Sequence, residues 1–168
     1  MAAMGRFFRA TLWSSAIALL AAQLVRFDRS NPAVRGDLSA PPAVKDALER
    51  SCYDCHSNQT RWPWYSGVAP VSWWVHYEVE EGRRRLNFSA WTDYASDPGT
   101  KDQKLDEVGR LIASDAMPPW YYRATHPGAR LTPLERAAIT RWIAREKSSH
   151  PSSAYPSSTG EGSAGNAG

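Results

Sequence analysis

Cys52-Tyr53-Asp54-Cys55-His56 decides how this chain is read, because these are the only 2 cysteines in the sequence and a histidine follows the second directly. The spacing C-x-x-C-H is that of a c-type haem attachment site. Each thiol adds across one haem vinyl group, and the adjacent imidazole of His56 is placed to ligate the iron as the proximal ligand. Three other readings use the same residues. A zinc ribbon needs a second pair of thiolates or histidines at matching spacing, and the chain has no second cysteine pair. A thioredoxin-like dithiol belongs at the end of a strand in a βαβ setting, which this pattern lacks. A plain structural disulfide leaves His56 unexplained. Haem attachment through Cys52 and Cys55 is the expectation, with a CxxC thiol oxidoreductase as a rival from another class.

Covalent attachment needs export, and the start of the chain bears on that. Arg6 and Arg9 precede an uncharged run from Ala10 to Val25, closed by Arg26. A positively flanked apolar stretch of this kind is a signal peptide or a short membrane anchor. Ala16 and Ala18 have small-x-small spacing but fall inside the apolar core. Residues 1–27 are therefore read as an uncleaved signal anchor, a single transmembrane segment with the N-terminus in the cytoplasm and the rest outside.

The sequence pI of about 9.0 invites a nucleic-acid reading. Counting by region removes it. Of 20 basic residues, Arg6, Arg9 and Arg26 lie in the targeting segment, whereas all 17 acidic residues lie beyond it, so the exported portion is formally neutral. No basic stripe for phosphates is present. The run Arg83-Arg84-Arg85 reads as a solvated helix face, and no nucleic acid is expected as a partner.

Residues 28–41 are poor in apolar side chains and contain prolines, so they read as an extended linker. Residues 148–168 are Ser, Gly, Ala and Pro with almost no charge, the composition of a disordered tail. Residues 42–147 remain for one haem-binding domain, and its periodicity is helical. Val44, Ala47 and Leu48 share a face that continues to Cys52. Val71, Trp74, Val75 and Val79 mark a second helix, and Leu105, Val108, Leu111 and Ile112 a third that stops at Pro118-Pro119. The last helix has Thr132 as N-cap, Pro133 at its first position and Glu135 to complete a capping box, with Leu134, Ala138, Ile139, Trp142 and Ile143 on its buried face. Ser89 reads as the N-cap of a short turn. No stretch alternates as a strand does, so the fold class is all-α.

Of 8 tryptophans, Trp62, Trp64, Trp73, Trp74 and Trp91 fall between the attachment motif and the third helix. Large rings with one polar edge suit a haem wall, and Trp62, Trp64, Trp73 and Trp74 are candidates for the haem pocket, although the same rings also suit an ordinary core. Met117 is the only methionine beyond the first four residues, on the stiff Pro118-Pro119 stop. A thioether there gives a His/Met iron of raised potential suited to electron transfer. His126 is the alternative distal ligand. His76 is expected on the exposed side of its helix, and His150 lies in the tail.

The runs C-Y-D-C-H-S-N-Q-T-R-W-P-W-Y-S at residues 52–66, A-P-V-S-W at 69–73, E-G-R at 81–83 and L-N-F-S at 86–89 together resemble the bacterial haem-binding domain family, small exported proteins with a C-x-x-C-H motif. The likeness extends through Met117-Pro118 and His126-Pro127 to the last helix. It implies a membrane-anchored or periplasmic protein carrying one covalent haem c, and with residues 1–27 read as an anchor the expected place is the bacterial cytoplasmic (inner) membrane, with the haem domain in the periplasm. A looser similarity links the first helix, the motif and the capped last helix to the cytochrome c-like architecture. The Trp-rich stretch after His56 departs from it. The expectation is a one-electron carrier serving an unidentified redox protein partner. Its alternative is a haem-based sensor or ligand-binding module with an open or bis-His iron.

Overall fold

The computed structural model describes residues 2–149. It is built from α1 (Ala2–Ala22), α2 (Pro42–Ser51), α3 (Tyr53–His56), α4 (Val71–Arg85), α5 (Trp91–Ala95), α6 (Pro98–Ala113), α7 (Trp120–Thr125) and α8 (Pro133–Ser148), with 3-10 turns at Trp64–Gly67 and Pro127–Ala129. Among the described residues there is no strand, only an isolated bridge between Gly36 and Ala90, so the all-α expectation holds. The tail expected at residues 148–168, with His150, lies outside the described residues except for Ser148, which is the last residue of α8, and Ser149, its C-cap.

α8 starts where its local chemistry dictates. The Thr132 hydroxyl accepts from the Glu135 N–H at 3.2 Å, and the Glu135 carboxylate accepts from the Thr132 N–H at 2.8 Å. That box satisfies two of the donors a helix start leaves orphaned. The same carboxylate accepts from Arg50 at 2.6 Å, tying α8 to α2. Hydrogen bonding from the Thr132 backbone, with help from Arg50, holds the Glu135 carboxyl below its ordinary value of 4.5. A depressed carboxyl contributes stability above the unfolded value and loses it as pH falls through the folded one. Glu135→Gln is expected to destabilise the domain at neutral pH, with the difference from wild type fading below about pH 4.5 in urea titrations run at stepped pH.

The core joins α2, α5, α6 and α8. Leu48, Leu105 and Ile139 are fully buried, with Phe88, Trp91 and Trp142 packed around them. Leu134 is a correction: expected on the inner face, it is 81% exposed. It stands in the first turn of α8, where the chain is still approaching from outside the core. Lys101 is buried because its ammonium reaches Glu146 on α8 at 2.8 Å.

α1 carries its apolar side chains exposed, among them Leu12, Trp13, Ile17 and Leu20. By hydropathy no helix among the described residues is long and apolar enough to cross a membrane. Arg6, Arg9 and the hydroxyls of Thr11, Ser14 and Ser15 fall within α1 and dilute its apolar content. At the end of α1 the Gln23 side chain forms a reciprocal pair with the Ala69 backbone, donating to its carbonyl and accepting from its N–H, both at 3.1 Å.

Residues 28–41 are extended, yet they are not a free tether. The N–H groups of Arg35 and Gly36 donate to the Ser89 carbonyl at 3.0 and 3.2 Å, Leu38 donates to Phe88 at 2.9 Å, and Trp91 donates back to Gly36 at 2.7 Å. Leu38 is buried in the core. A Cβ at Gly36 would fall 2.1 Å from the Thr92 hydroxyl, so only glycine lets this strap close on α5. Ser89 does not cap α5, whose N-cap is Ala90. Its buried hydroxyl instead accepts from the Asn58 N–H at 3.0 Å.

Candidate haem site

α2 ends at Ser51, and Cys52 leaves helical geometry at φ −128° before one further turn, α3, carries Tyr53 to His56. The Cys52 N–H closes α2 on the Leu48 carbonyl at 2.8 Å, and the Cys52 carbonyl then accepts from the N–H groups of Cys55 at 3.2 Å and His56 at 2.9 Å. Both thiols are free and half-buried. Burial pushes each thiol up to about 12, with the neighbouring charge of the other cysteine adding at Cys52 and that of Asp54 at Cys55.

His56 is held by its Nδ1, which lies 3.0 Å from the Gly82 carbonyl and 3.2 Å from the Leu86 carbonyl. Both partners are pure acceptors, so Nδ1 carries the proton and Nε2 is left with its lone pair, the tautomer a metal ligand needs. Burial lowers the imidazole's affinity for a second proton and keeps it neutral. The Gly82 carbonyl reaches His56 because α4 passes close to the motif. A Cβ at position 82 would lie 2.4 Å from the Cys55 carbonyl oxygen.

Three adjoining cavities surround the motif. One of about 290 Å³ is lined by Cys52, Cys55, His56, Gly82, Met117 and Tyr122, and one of about 200 Å³ by Cys52, His56, Leu111 and Met117. The third, about 490 Å³, lies between α4 and α7 and includes Cys55, Val71, Trp74, Trp120, Tyr121 and His126. Met117 thus shares two cavities with His56, while His126 shares none with it. His126 stacks on Tyr122 with ring centroids 4.2 Å apart.

Met117 reaches this place through a chain reversal after α6. Asp115 takes a left-handed φ of 56°, which aspartate tolerates better than most residues, and its carboxylate binds Arg123 and Arg136. The Ala116 and Met117 N–H groups then both donate to the Leu111 carbonyl, at 3.1 and 3.3 Å.

The tryptophans divide. Trp74 lines the largest of these three cavities and is 45% exposed, and Val71 on the same cavity is 42% exposed. This face of α4, expected in the core, borders open apolar space. Trp62 packs under the Arg83 guanidinium, 6.0 Å from its ring centroid, Trp64 is 82% exposed, and Trp73 borders none of these three cavities. Trp120 takes the wall position instead. His76 is likewise not the exposed side chain expected: its ring stacks on Phe27 at 4.5 Å.

Several residues that build the site escape a reading by pattern. Asp54, buried inside the motif, accepts from Arg61 at 3.0 Å and from the Tyr122 hydroxyl at 2.6 Å, which fastens α7 over the thiols. Tyr121 donates to Glu78 at 3.0 Å. Arg83 is no solvated residue: it donates to the Ser57 carbonyl at 2.9 Å, to Thr60 at 2.9 Å and to Asn31 at 2.8 Å. Only Arg84 and Arg85 face water, paired with Glu81. A glycine inside a helical run at position 82 was the one visible signal, since it costs helix stability unless something requires it.

The family model described as a haem-binding domain matches residues 17–145. The chain belongs to the haem-binding domain family. The match spans the strap, the C-x-x-C-H turn and all three cavities, so haem is the group this domain binds. Cytochrome c peroxidase Ccp of Escherichia coli (strain K12) is similar to it, 24% identical over 103 residues that make up 61% of this chain and 22% of that protein. The chain therefore matches about a fifth of the length of that relative. No solved structure matches. The residues present fit the group: two free thiols, an imidazole with its outer nitrogen available, and apolar space on both sides.

Proposed function

We propose that this domain carries one covalent haem c, bound through Cys52 and Cys55 and ligated by His56 and Met117, and that it serves as a one-electron carrier held at the outer face of the cytoplasmic membrane by α1. The observation that carries the reading is the His56 ring, turned by two carbonyl acceptors so that Nε2 is the free nitrogen. Attachment adds each S–H across a vinyl double bond, so the thiols are consumed without any oxidation. When bound, the haem supplies a reversible ferric–ferrous couple. The protein's own part is to exclude water with Tyr121, Tyr122 and Trp74, and to hold both ligands on rigid backbone.

The support for Met117 over His126 is that Met117 shares the His56 cavities. A thiol oxidoreductase needs a cysteine of lowered pKa, and burial raises both thiols here. The uncharged run continues past the end of α1 through Leu24 and Val25, which lengthens the segment available to lipid. The kinship with a peroxidase covers too little of that protein to bring its activity across.

Spectroscopy of the exported holoprotein tests the ligand set. The ferric wild type is expected to show the weak red band of a methionine–iron bond and to resist carbon monoxide when reduced. Met117→Ala should abolish the band, admit carbon monoxide and lower the potential, while His126→Ala leaves the spectrum unchanged. An unchanged spectrum in Met117→Ala with carbon monoxide binding in His126→Ala would replace the assignment with bis-histidine ligation.

A further inference from the structure

Where α1 gives way to the strap lies a cavity of about 240 Å³ that takes no part in the haem site. Its lining is polar. Arg26 and Arg29 enter from the chain just beyond α1, and Ser66, Gly67 and Ser72 from the turn leading into α4 and from that helix's first residues. Neither arginine forms an ion pair among the described residues. Asp28, the carboxylate between them, is occupied by its own turn, accepting from the Ser30 N–H at 2.8 Å and its hydroxyl at 2.7 Å. A Cβ at Gly67 would lie 3.1 Å from Arg29 Nη1, so glycine leaves the guanidinium room against the turn. Ser72 is buried in the first turn of α4, whose end adds partial positive charge.

Two unpaired guanidinium groups beside a helix start form a receptor for a phosphate, which accepts their forked donors. Its position selects the source. The cavity sits at the end of a helix whose large apolar side chains are exposed among the described residues, and its sequence neighbours Trp64, Val68, Val71 and Trp73 are exposed too. Aromatic and aliphatic side chains flanking a basic pocket match the membrane–water interface. We propose that this cavity binds the phosphate of an anionic phospholipid headgroup through Arg26 and Arg29, with Trp64 and Trp73 resting in the interface beside it. This rests on α1 as the membrane anchor.

The test is a titration of the detergent-purified full-length chain with short-chain phosphatidylglycerol, read by native mass spectrometry, with inorganic phosphate in a parallel arm. Wild type is expected to take up one lipid, Arg26→Gln/Arg29→Gln to bind at least ten-fold more weakly, and Arg26→Lys/Arg29→Lys to recover part of the loss. Equal lipid binding by wild type and the glutamine variant overturns the proposal, and so does inorganic phosphate binding as tightly as the lipid. Alkaline extraction of membranes reports on the anchor separately. Membrane-retained protein with arginine-independent lipid binding sinks the cavity and spares the anchor. Soluble protein with arginine-dependent binding does the reverse.

Discussion

Replacing Cys52 and Cys55 together by alanine is expected to leave no haem on the polypeptide after acid–organic extraction, where the wild type, matured and exported, keeps essentially all of it. Thioether bonds survive denaturation, whereas coordination by the proposed ligands His56 and Met117 would end as soon as the fold that holds them is lost. The paired loss separates covalent from coordinate binding. A single Cys52→Ala or Cys55→Ala change should retain part of the haem through the remaining thiol, with a shifted absorption maximum from the unreacted vinyl group. Haem extracted completely from the wild type would show that the thiols are not attached, and a haem-free dithiol cycling with a chemical reductant would move the protein to the oxidoreductase class. The two free thiols, Cys52 at the N-cap of α3 and Cys55 within it, are the basis for expecting neither.

Gly82→Ala should be nearly as damaging, although it changes one hydrogen to a methyl group. The new Cβ would meet the Cys55 carbonyl oxygen at 2.4 Å and its Cβ at 3.1 Å. These are largely backbone contacts in the centre of the attachment turn, so α4 must move away. Overpacking of this kind costs about 1–3 kcal/mol and sometimes more. Moving α4 also withdraws the Gly82 carbonyl from His56, which frees the ring to rotate. Lower yield of attached haem and a reduced unfolding midpoint are expected together. Gly109→Ala is the control: its Cβ would meet Ile143 Cδ1 at 3.5 Å, an ordinary contact, and in a helix interior alanine is favoured over glycine by up to about 1 kcal/mol. A Gly82→Ala protein as stable and as fully loaded as Gly109→Ala would remove the steric argument.

What the sequence displayed was whatever is local. The capping box at Thr132 and Glu135, the α2 face at Val44, Ala47 and Leu48, and the α6 face at Leu105, Val108 and Ile112 each depend on residues a few positions apart, and each folds as its spacing dictates. The C-x-x-C-H run belongs to the same class. Contacts made across the fold were silent. Arg83 looks like its neighbours Arg84 and Arg85 until α4 is laid beside residues 57–60, where only one of the three meets a row of acceptors. Trp62, Trp64, Trp73 and Trp74 are chemically equal in the sequence, and the direction of α4 and of its preceding turn decides that Trp74 borders the cavity while Trp64 faces outward. Residues 31–38 have the composition of a tether, and the bonds that close them onto residues 88–91 are backbone bonds, which no side chain announces.

That strap changes what the molecule can do mechanically. Loose, a stretch the length of residues 28–41 could swing its cargo through on the order of 45 Å. Clamped by Gln23 at one end and closed along Ser89 and Phe88, it works as a bracket, which under the proposed anchoring by α1 would hold the haem-binding domain at a fixed height above the bilayer. Under the proposed carrier role, a redox partner would have to come to that height itself. Encounter would then be a two-dimensional search among membrane neighbours of matching stature, in which reach is set by the bracket and no longer by the slack of a chain.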